Sequence, residues 1–149
     1  MSDDDEPLVA ERIDEFDIAF SRPEFWEFRV EHENTYLYWD EDAGSMRITP
    51  LRASTAIDRY LASSFDKENE RGHAPERKTI GERNAVAWVV DTPETETRCH
   101  YVLTGRDDVI ILCSYAFDPV LYEEDDEFYG PAIDAGLEYF EAAIQSLRF

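Results

Sequence analysis

The stretch that decides the fold is Val109-Ile110-Ile111-Leu112-Cys113-Ser114-Tyr115-Ala116-Phe117, the longest almost purely apolar run in a very acidic chain. It is too short to span a membrane, which needs about 20 apolar residues. The run is rich in β-branched and aromatic residues and lies between two turn signals, Asp107-Asp108 and Asp118-Pro119. A short run that is apolar on both alternating faces is typical of a central strand covered on both sides. We therefore expect the rest of the chain to supply two neighbouring strands and two covering layers.

Composition limits the classes of partner. The chain has 149 residues, of which 35 are acidic and 14 basic, and its formal charge is −21. Nucleic acids and anionic membranes are bound by clustered Lys and Arg, so the composition argues against both partners. The charge is compatible with a salt-rich cytoplasm, or with a strongly basic protein partner that the field attracts.

Length and termini predict a simple organisation. We predict a disordered acidic tail over residues 1–10 and a single α+β domain over residues 11–149. The N-terminus lacks the basic and apolar segments of a signal peptide and carries no lipidation motif. Two cysteines do not make a disulfide framework. We therefore expect a cytoplasmic protein with reduced thiols.

The first half of the chain is predicted to be strands followed by a helix. Period-2 alternation predicts a short strand over Phe16–Phe20, a hairpin over Phe25–Trp39 and a third strand over Met46–Thr49. Pro50 is expected to end that third strand because proline cannot donate to a ladder. Thr55 is the predicted cap of a helix, and residues 66–78 are a predicted loop. The apolar stripe of this helix has helical spacing and consists of Ile57, Tyr60, Leu61 and Phe65.

The second half repeats the order. Lys78–Asp91 and Thr97–Leu103 are predicted strands, and the acidic segment 119–130 is predicted to be irregular. Pro131 opens a predicted last helix, at a position where a missing N–H costs nothing. One apolar face of that helix consists of Ile133, Leu137, Phe140, Ile144 and Leu147. Tight turns between adjacent strands predict a mainly antiparallel sheet of about six strands covered by two helices.

The turn before the central run leaves two registers open. A two-residue turn that begins at Gly105 places the sulfurs of Cys99 and Cys113 on opposite faces of the sheet. A loop over residues 104–108 places the two cysteines directly across from each other. We predict the longer loop, because two consecutive aspartates suit a loop.

Three strings, together with this order of elements, resemble a family of small uncharacterised bacterial proteins that is filed as a domain of unknown function. The strings are Gly44-Ser45-Met46-Arg47-Ile48-Thr49-Pro50, Ile111-Leu112-Cys113-Ser114-Tyr115 and Ser146-Leu147-Arg148-Phe149. The family's architecture looks like the PsbP-like α-β-α sandwich of photosystem accessory proteins and a nuclear-transport adaptor. The resemblance implies a binding or adaptor scaffold without a catalytic site, and it assigns no functional residue.

No catalytic residue, metal site or cofactor is predicted. The chain has no Gly-rich phosphate loop, nucleophile elbow or His-Glu-x-x-His motif, and with 35 carboxylates a glycosidase-like pair arises by chance. Cys99-His100 with Cys113 is the only tight ligand constellation, and core packing is the more common fate of such thiols. Aromatic residues are favoured at protein-binding surfaces. The candidate binding residues on this basis are Trp26, Tyr36, Tyr38, Trp39, Trp88 and His100.

These observations favour a non-enzymatic protein-binding or adaptor module, for example an immunity-type neutraliser of a basic toxin. A second hypothesis is a small-molecule-binding or enzymatic domain with a cavity between helix and sheet, lined by Tyr60, Trp88 and His100. A third is an acidic mimic of nucleic acid, which presents carboxylates in place of phosphates.

Overall fold

The computed structural model describes residues 8–31, 34–125 and 127–149. In chain order, the strands within these ranges are β1 (Leu8–Ile13), β2 (Ile18–Pro23), β3 (Glu27–Glu31), β4 (Thr35–Asp40), β5 (Gly44–Arg52), β6 (Glu76–Ile80), β7 (Arg83–Thr92), β8 (Thr97–Arg106) and β9 (Val109–Phe117). The α-helices are α1 (Ile57–Glu70), α2 (Pro119–Glu124) and α3 (Tyr129–Ser146). None of these helices combines the length and the apolar composition of a membrane span.

The main sheet has seven strands in the order β3-β4-β5-β9-β8-β7-β6, and every pair is antiparallel. The apolar run is β9, the middle strand, so the prediction of a central strand is confirmed. The mainly antiparallel α+β architecture is confirmed as well, with seven strands where about six were expected. A separate hairpin of β1 and β2 and a short extra helix, α2, complete the chain.

Both faces of β9 are covered, by different elements. Ile111, Cys113 and Tyr115 belong to a core formed with α3 and the β1–β2 hairpin. Ile110 belongs to a smaller core formed with α1, and Leu112 packs against it. Both predicted helix stripes are confirmed: Leu61, Ile133, Phe140, Ile144 and Leu147 are buried, and Ile57, Tyr60, Phe65 and Leu137 are partly buried.

The N-terminal predictions need correction. Residues 8–10 were assigned to the acidic tail but form the first half of β1, because they pair with β2; residues 1–7 lie outside the described ranges. The strand predicted to begin at Phe16 begins at Ile18. Phe16 lies in a 3-10 turn that Asp17 closes in the left-handed conformation (φ 53°).

Pro50 does not end a strand. It lies inside β5 and pairs with Ile111 of β9. The last pair between β4 and β5 is Tyr36 with Ile48, so at Pro50 the strand has a neighbour on one side only. An edge position of this kind tolerates a residue without an N–H.

The predicted helix and loop boundaries are also shifted. Helix α1 has Ala56 at its N-cap without a side-chain hydrogen bond, so Thr55 is not the cap. The helix continues to Glu70, into the predicted loop, and β6 then begins at Glu76. Gly81, with φ 61°, lies in the turn between β6 and β7 and divides the predicted Lys78–Asp91 strand into a hairpin.

The acidic segment predicted to be irregular contains helix α2. The carboxylate of Asp118 accepts hydrogen bonds from the backbone N–H groups of Val120 (2.9 Å) and Leu121 (3.5 Å). Pro119 occupies the first helical position, where its ring fixes the backbone angle φ close to the helical value. Helix α3 begins at Tyr129, two residues before the expected start.

Both registers considered for the turn before β9 are wrong. Arg106 pairs with Val109, so the turn consists of Asp107 and Asp108 alone, and Asp107 is left-handed (φ 55°). Gly105 is needed inside β8 instead. A Cβ atom there would lie 2.3 Å from the carbonyl oxygen of Val109 and 2.8 Å from Cδ1 of Ile57, so a side chain would push α1 away.

This register separates the two thiols. Cys99 pairs with Ala116, and Cys113 pairs with Val102. The two cysteines therefore lie on opposite faces of the sheet, because successive side chains alternate. A shared Cys99–Cys113 site is excluded.

Candidate binding surfaces

Two of the predicted binding residues are core residues. Trp26 is buried, with its ring centroid 5.9 Å from that of Tyr139 in an edge-on arrangement and 6.4 Å from that of Tyr115. Tyr38 is completely buried beside Phe20, and burial raises the pKa of its hydroxyl. Both rings belong to the large core.

The other four candidates lie on two faces of the sheet. Trp39 and Trp88 share the face of β9 that packs against α1, by the register of the ladders. Tyr36 lies on the opposite face and stacks on Phe28 (6.3 Å between ring centroids). His100 also lies there and stacks on Phe117 at 5.7 Å. The six residues therefore do not form one site.

Trp39 lies in a shallow cleft of about 400 Å³, which Leu37 also lines. The guanidinium carbon of Arg29 is 5.6 Å from the Trp39 ring centroid. Nearby on the same face, Nε of Arg47 donates to Glu31 at 2.7 Å. That hydrogen bond lowers the pKa of Glu31. The charges of this surface are largely paired with one another, which leaves little for a charged ligand.

Trp88 and His100 line a second cleft, of about 440 Å³, at the edge of β7. Tyr60 is not among its lining residues, because its ring packs against the small core under α1. The cleft also contains His73, which was not predicted as a site residue.

Three acidic segments meet at one end of the sheet. Ser45 at the start of β5 pairs with Ala116, and Arg98 at the start of β8 pairs with Phe117. The β4–β5 turn, the β7–β8 turn and the start of α2 are therefore at the same end. We call this end the acidic pole. Its carboxylates are those of Asp40, Glu41, Asp42, Glu94, Glu96, Glu123, Glu124, Asp125 and Glu127.

Basic residues do little to neutralise the acidic pole. Arg98 donates to Asp91 at 2.7 Å, which lowers the pKa of Asp91, and lies 3.8 Å from Glu123. No other carboxylate of the acidic pole forms a salt bridge with a described residue. The opposite end is different: there Asp107 and Asp108 lie 3.7 and 3.4 Å from arginines.

The acidic pole also exposes large apolar side chains. Phe25, just before β3, is 69% exposed, and Phe128, just before α3, is 53% exposed. In α2, the exposed apolar residues are Val120 (47%) and Leu121 (39%). Tyr122 of α2 instead packs against the ring of Phe117, with 5.5 Å between the ring centroids. This short helix therefore packs on the protein through Tyr122 and exposes Val120 and Leu121 to solvent.

Sequence reasoning missed this surface, although part of its signal was present. Asp118-Pro119 is an N-cap followed by a proline at the first helical position, and the segment contains three apolar residues in succession, Val120 to Tyr122. Within the part of the chain that the structure describes, no group of three His, Cys, Asp or Glu residues is placed to hold a metal ion. What the acidic pole presents to a partner is negative charge and exposed apolar side chains.

Comparisons with known proteins define the fold. No family model and no curated protein matches the chain. A crystal structure from Bacteroides thetaiotaomicron VPI-5482 matches over 88% of this chain with a TM-score of 0.62 and 18% identity, and the chain spans 44% of that protein's length. The solution structure of cyanobacterial PsbP (CyanoP) from Synechocystis sp. PCC 6803 matches over 95% of this chain and 91% of its own, with a TM-score of 0.58 and 12% identity. The chain has a PsbP-like fold, as the resemblance implied.

Proposed function

We propose that the protein is a non-enzymatic protein-binding module whose acidic pole binds a basic, amphipathic segment of a partner protein. The observation that carries the proposal is that exposed apolar side chains of α2 and its flanks lie among carboxylates of which, within the described residues, only Glu123 has a salt-bridge partner. A second element of the same chain, Phe25 before β3, adds an aromatic side chain at this end.

The apolar residues are the expected source of affinity. Removing a Val, Leu or Phe side chain completely from water contributes about 1.5–3 kcal/mol, and aromatic residues are frequent among the few that dominate binding energy. Val120, Leu121 and Phe128 are three such side chains within one short segment, which suits insertion against the apolar face of a helix.

The carboxylates are the expected source of selectivity. They surround the apolar residues and remain in contact with water, so pairing them with Lys or Arg requires little desolvation. A field of this sign accelerates the approach of a basic partner and repels phosphate backbones. An acidic or neutral partner gains nothing from it.

A labelled peptide of Leu and Lys can test the proposal. The probe has about 18 residues, roughly five helical turns, with its leucines on one face; an isomer with dispersed leucines tests the need for an apolar face. Fluorescence anisotropy should show saturable binding that weakens as salt is added. Val120→Ser and Phe128→Ser should each weaken binding about tenfold, which corresponds to about 1.4 kcal/mol.

The chain contains a matched control. Val30→Ser removes the same side chain as Val120→Ser at the same exposure, 47%, but on β3 and outside the acidic pole. It should leave the affinity unchanged. If the Val30 and Val120 variants bind equally well, or if the isomer with dispersed leucines binds as tightly, attraction is a matter of net charge alone and the proposed surface is wrong.

A further inference from the structure

The cleft at the edge of β7 has a different chemistry from the rest of the surface. The last pair between β6 and β7 is Glu76 with Ala87. From Trp88 onward, β7 therefore has a strand neighbour only on the side of β8. The cleft forms where β7 extends past β6 and α3 approaches the sheet, and its volume of about 440 Å³ is in the range of small-molecule sites.

Nitrogen-bearing side chains are concentrated in this cleft. The chain contains only three histidines and two lysines, yet His73, His100 and Lys78 all line it. This concentration occurs in a protein of charge −21. The apolar part of the lining includes Val102, which lies on the same face of the sheet as His100, and Leu137 and Phe140 of α3.

Other contacts hold the two imidazoles in place. Nδ1 of His73 lies 2.6 Å from a carboxylate oxygen of Glu68, a buried residue that also accepts a hydrogen bond from Arg71 at 2.8 Å. Because a carboxylate only accepts, Nδ1 of His73 carries the proton, and Nε2 of the neutral ring is an acceptor; His73 therefore shapes the cleft wall rather than binding an anion. His100 is fixed by its stacking on Phe117.

The charge state of His100 suits a neutral donor. Burial, and after it the charge of Arg98, lowers the pKa of this imidazole, and Lys78 is close enough to lower it further. At neutral pH the ring is therefore uncharged and keeps one N–H donor. Lys78, which also lines the cleft, supplies the positive charge beside this donor.

We propose that this cleft binds a small organic monocarboxylate with a flat apolar body. The carboxylate group would be held by Lys78 and the N–H group of His100, and the body would lie against Val102 and the side chains of Leu137 and Phe140. Glu76 and Glu141 also line the cleft, so a second negative charge on the ligand would meet like charge. The net charge of the protein further disfavours polyanions.

Benzoate is a suitable probe, followed by chemical-shift perturbation in NMR spectra of the full chain. Its Kd should be about 1–10 mM, the range expected of so small a ligand, and the shifts should map to the cleft. Benzyl alcohol, which lacks the charge, and phthalate, which has a second carboxylate, should each bind at least about tenfold more weakly. At low salt the −21 field of the protein repels benzoate, and added salt screens this repulsion. Binding should therefore not weaken as salt is raised to about 0.15 M.

The chain's only other lysine provides the control. Lys78→Gln should weaken benzoate binding about tenfold, the effect of losing one charged hydrogen bond. Lys67→Gln makes the same substitution on α1, outside the lining residues, and should have no effect. The inference is overturned if benzoate does not saturate, if benzyl alcohol binds equally well, or if the two lysine variants behave alike. None of these outcomes bears on the acidic pole.

Discussion

The contact between α3 and the central strand provides the sharpest test of the fold. Gly136 of α3 lies against Tyr115 of β9, whose hydroxyl donates a 2.7 Å hydrogen bond to the carbonyl oxygen of Ala43. A Cβ atom at residue 136 would lie 1.9 Å from the Tyr115 hydroxyl oxygen and 2.6 Å from Cζ. Tyr115 is completely buried, so its ring has no free space to enter. The substitution Gly136→Ala should therefore destabilise the protein.

The magnitude follows from three terms. Overpacking a core costs about 1–3 kcal/mol, and a buried carbonyl oxygen left without its donor costs about 1–3 kcal/mol. Replacing a helical glycine by alanine contributes about 1 kcal/mol in the opposite direction. The net loss expected for Gly136→Ala is about 1–5 kcal/mol. An exposed helical glycine would instead be improved by about 1 kcal/mol.

Urea denaturation of four proteins measures this loss: the wild type, Gly136→Ala, Tyr115→Phe and the double variant. Tyr115→Phe already removes the hydrogen bond to Ala43, so the hydrogen-bond term is lost only once in the double variant. The double variant should be less destabilised than the two single losses together, by about 1–2 kcal/mol. A stabilising Gly136→Ala, or losses that add within about 0.5 kcal/mol, would contradict the described packing of α3 on β9.

Three further predictions concern the core, the thiols and pH. In urea denaturation, Ile144→Ala should cost about 2–5 kcal/mol, and Leu137→Ala less, because Ile144 is 1% exposed whereas Leu137 borders a cleft; equal losses would contradict this. Burial raises the pKa of Cys99, and that of Cys113 to about 12, so a thiol reagent at pH 8 should label Cys113 only at the unfolding rate, and rapid native labelling would refute its burial. The salt bridge of Glu31 lowers its pKa below 4.5, so it stabilises the fold above that pH and the contribution is lost as pH falls through the lowered value. Glu31→Gln should cost at most about 1 kcal/mol at pH 7, and the cost should shrink as pH falls below 4.5; a cost that does not change with pH would exclude the linkage.

Local patterns predicted the elements better than the connections between them. The run Val109–Phe117 was recognisable because both of its alternating faces are apolar, and α1 and α3 have clear helical stripes. The predicted register before β9 was wrong because glycine is favoured both in tight turns and where two elements pack closely together. Gly105 was read as a turn residue, but its hydrogen makes room for Ile57 of α1. Tertiary contacts of this kind have no local signature.

Of the candidate surfaces, too, the sequence predicted individual residues but not the way in which distant segments come together. Trp88 and His100 were chosen from composition, and both line the cleft at the edge of β7, from opposite faces of the sheet. The acidic pole could not be predicted from the sequence, because it depends on which strand ends lie at the same end of the sheet. Composition revealed the total charge of −21, but only the ladders show that three acidic segments share one end.

The acidic pole should lower stability, and this makes it a functional candidate in its own right. Glu124 is the last residue of α2, where a negative charge opposes the partial negative charge of the helix end, and its neighbours are also acidic. Local rules of this kind are most often broken where function requires it. Glu124→Lys should therefore stabilise the protein by a few tenths to about 1 kcal/mol, while weakening the basic peptide.

Helix α1 provides the matched control for this trade-off. Glu70 is likewise the last residue of its helix and exposed, but it lies outside the acidic pole. Glu70→Lys makes the same change in charge at the same kind of position, so it should raise stability by a similar amount. Peptide binding should be nearly unaffected, because the substituted charge is far from α2 in the chain and on the other side of the sheet from α3. If both lysine variants weaken the peptide equally, the whole charge of the protein attracts the peptide and the acidic pole has no special role; if only Glu124→Lys does, the carboxylates around α2 are kept for binding at the expense of stability.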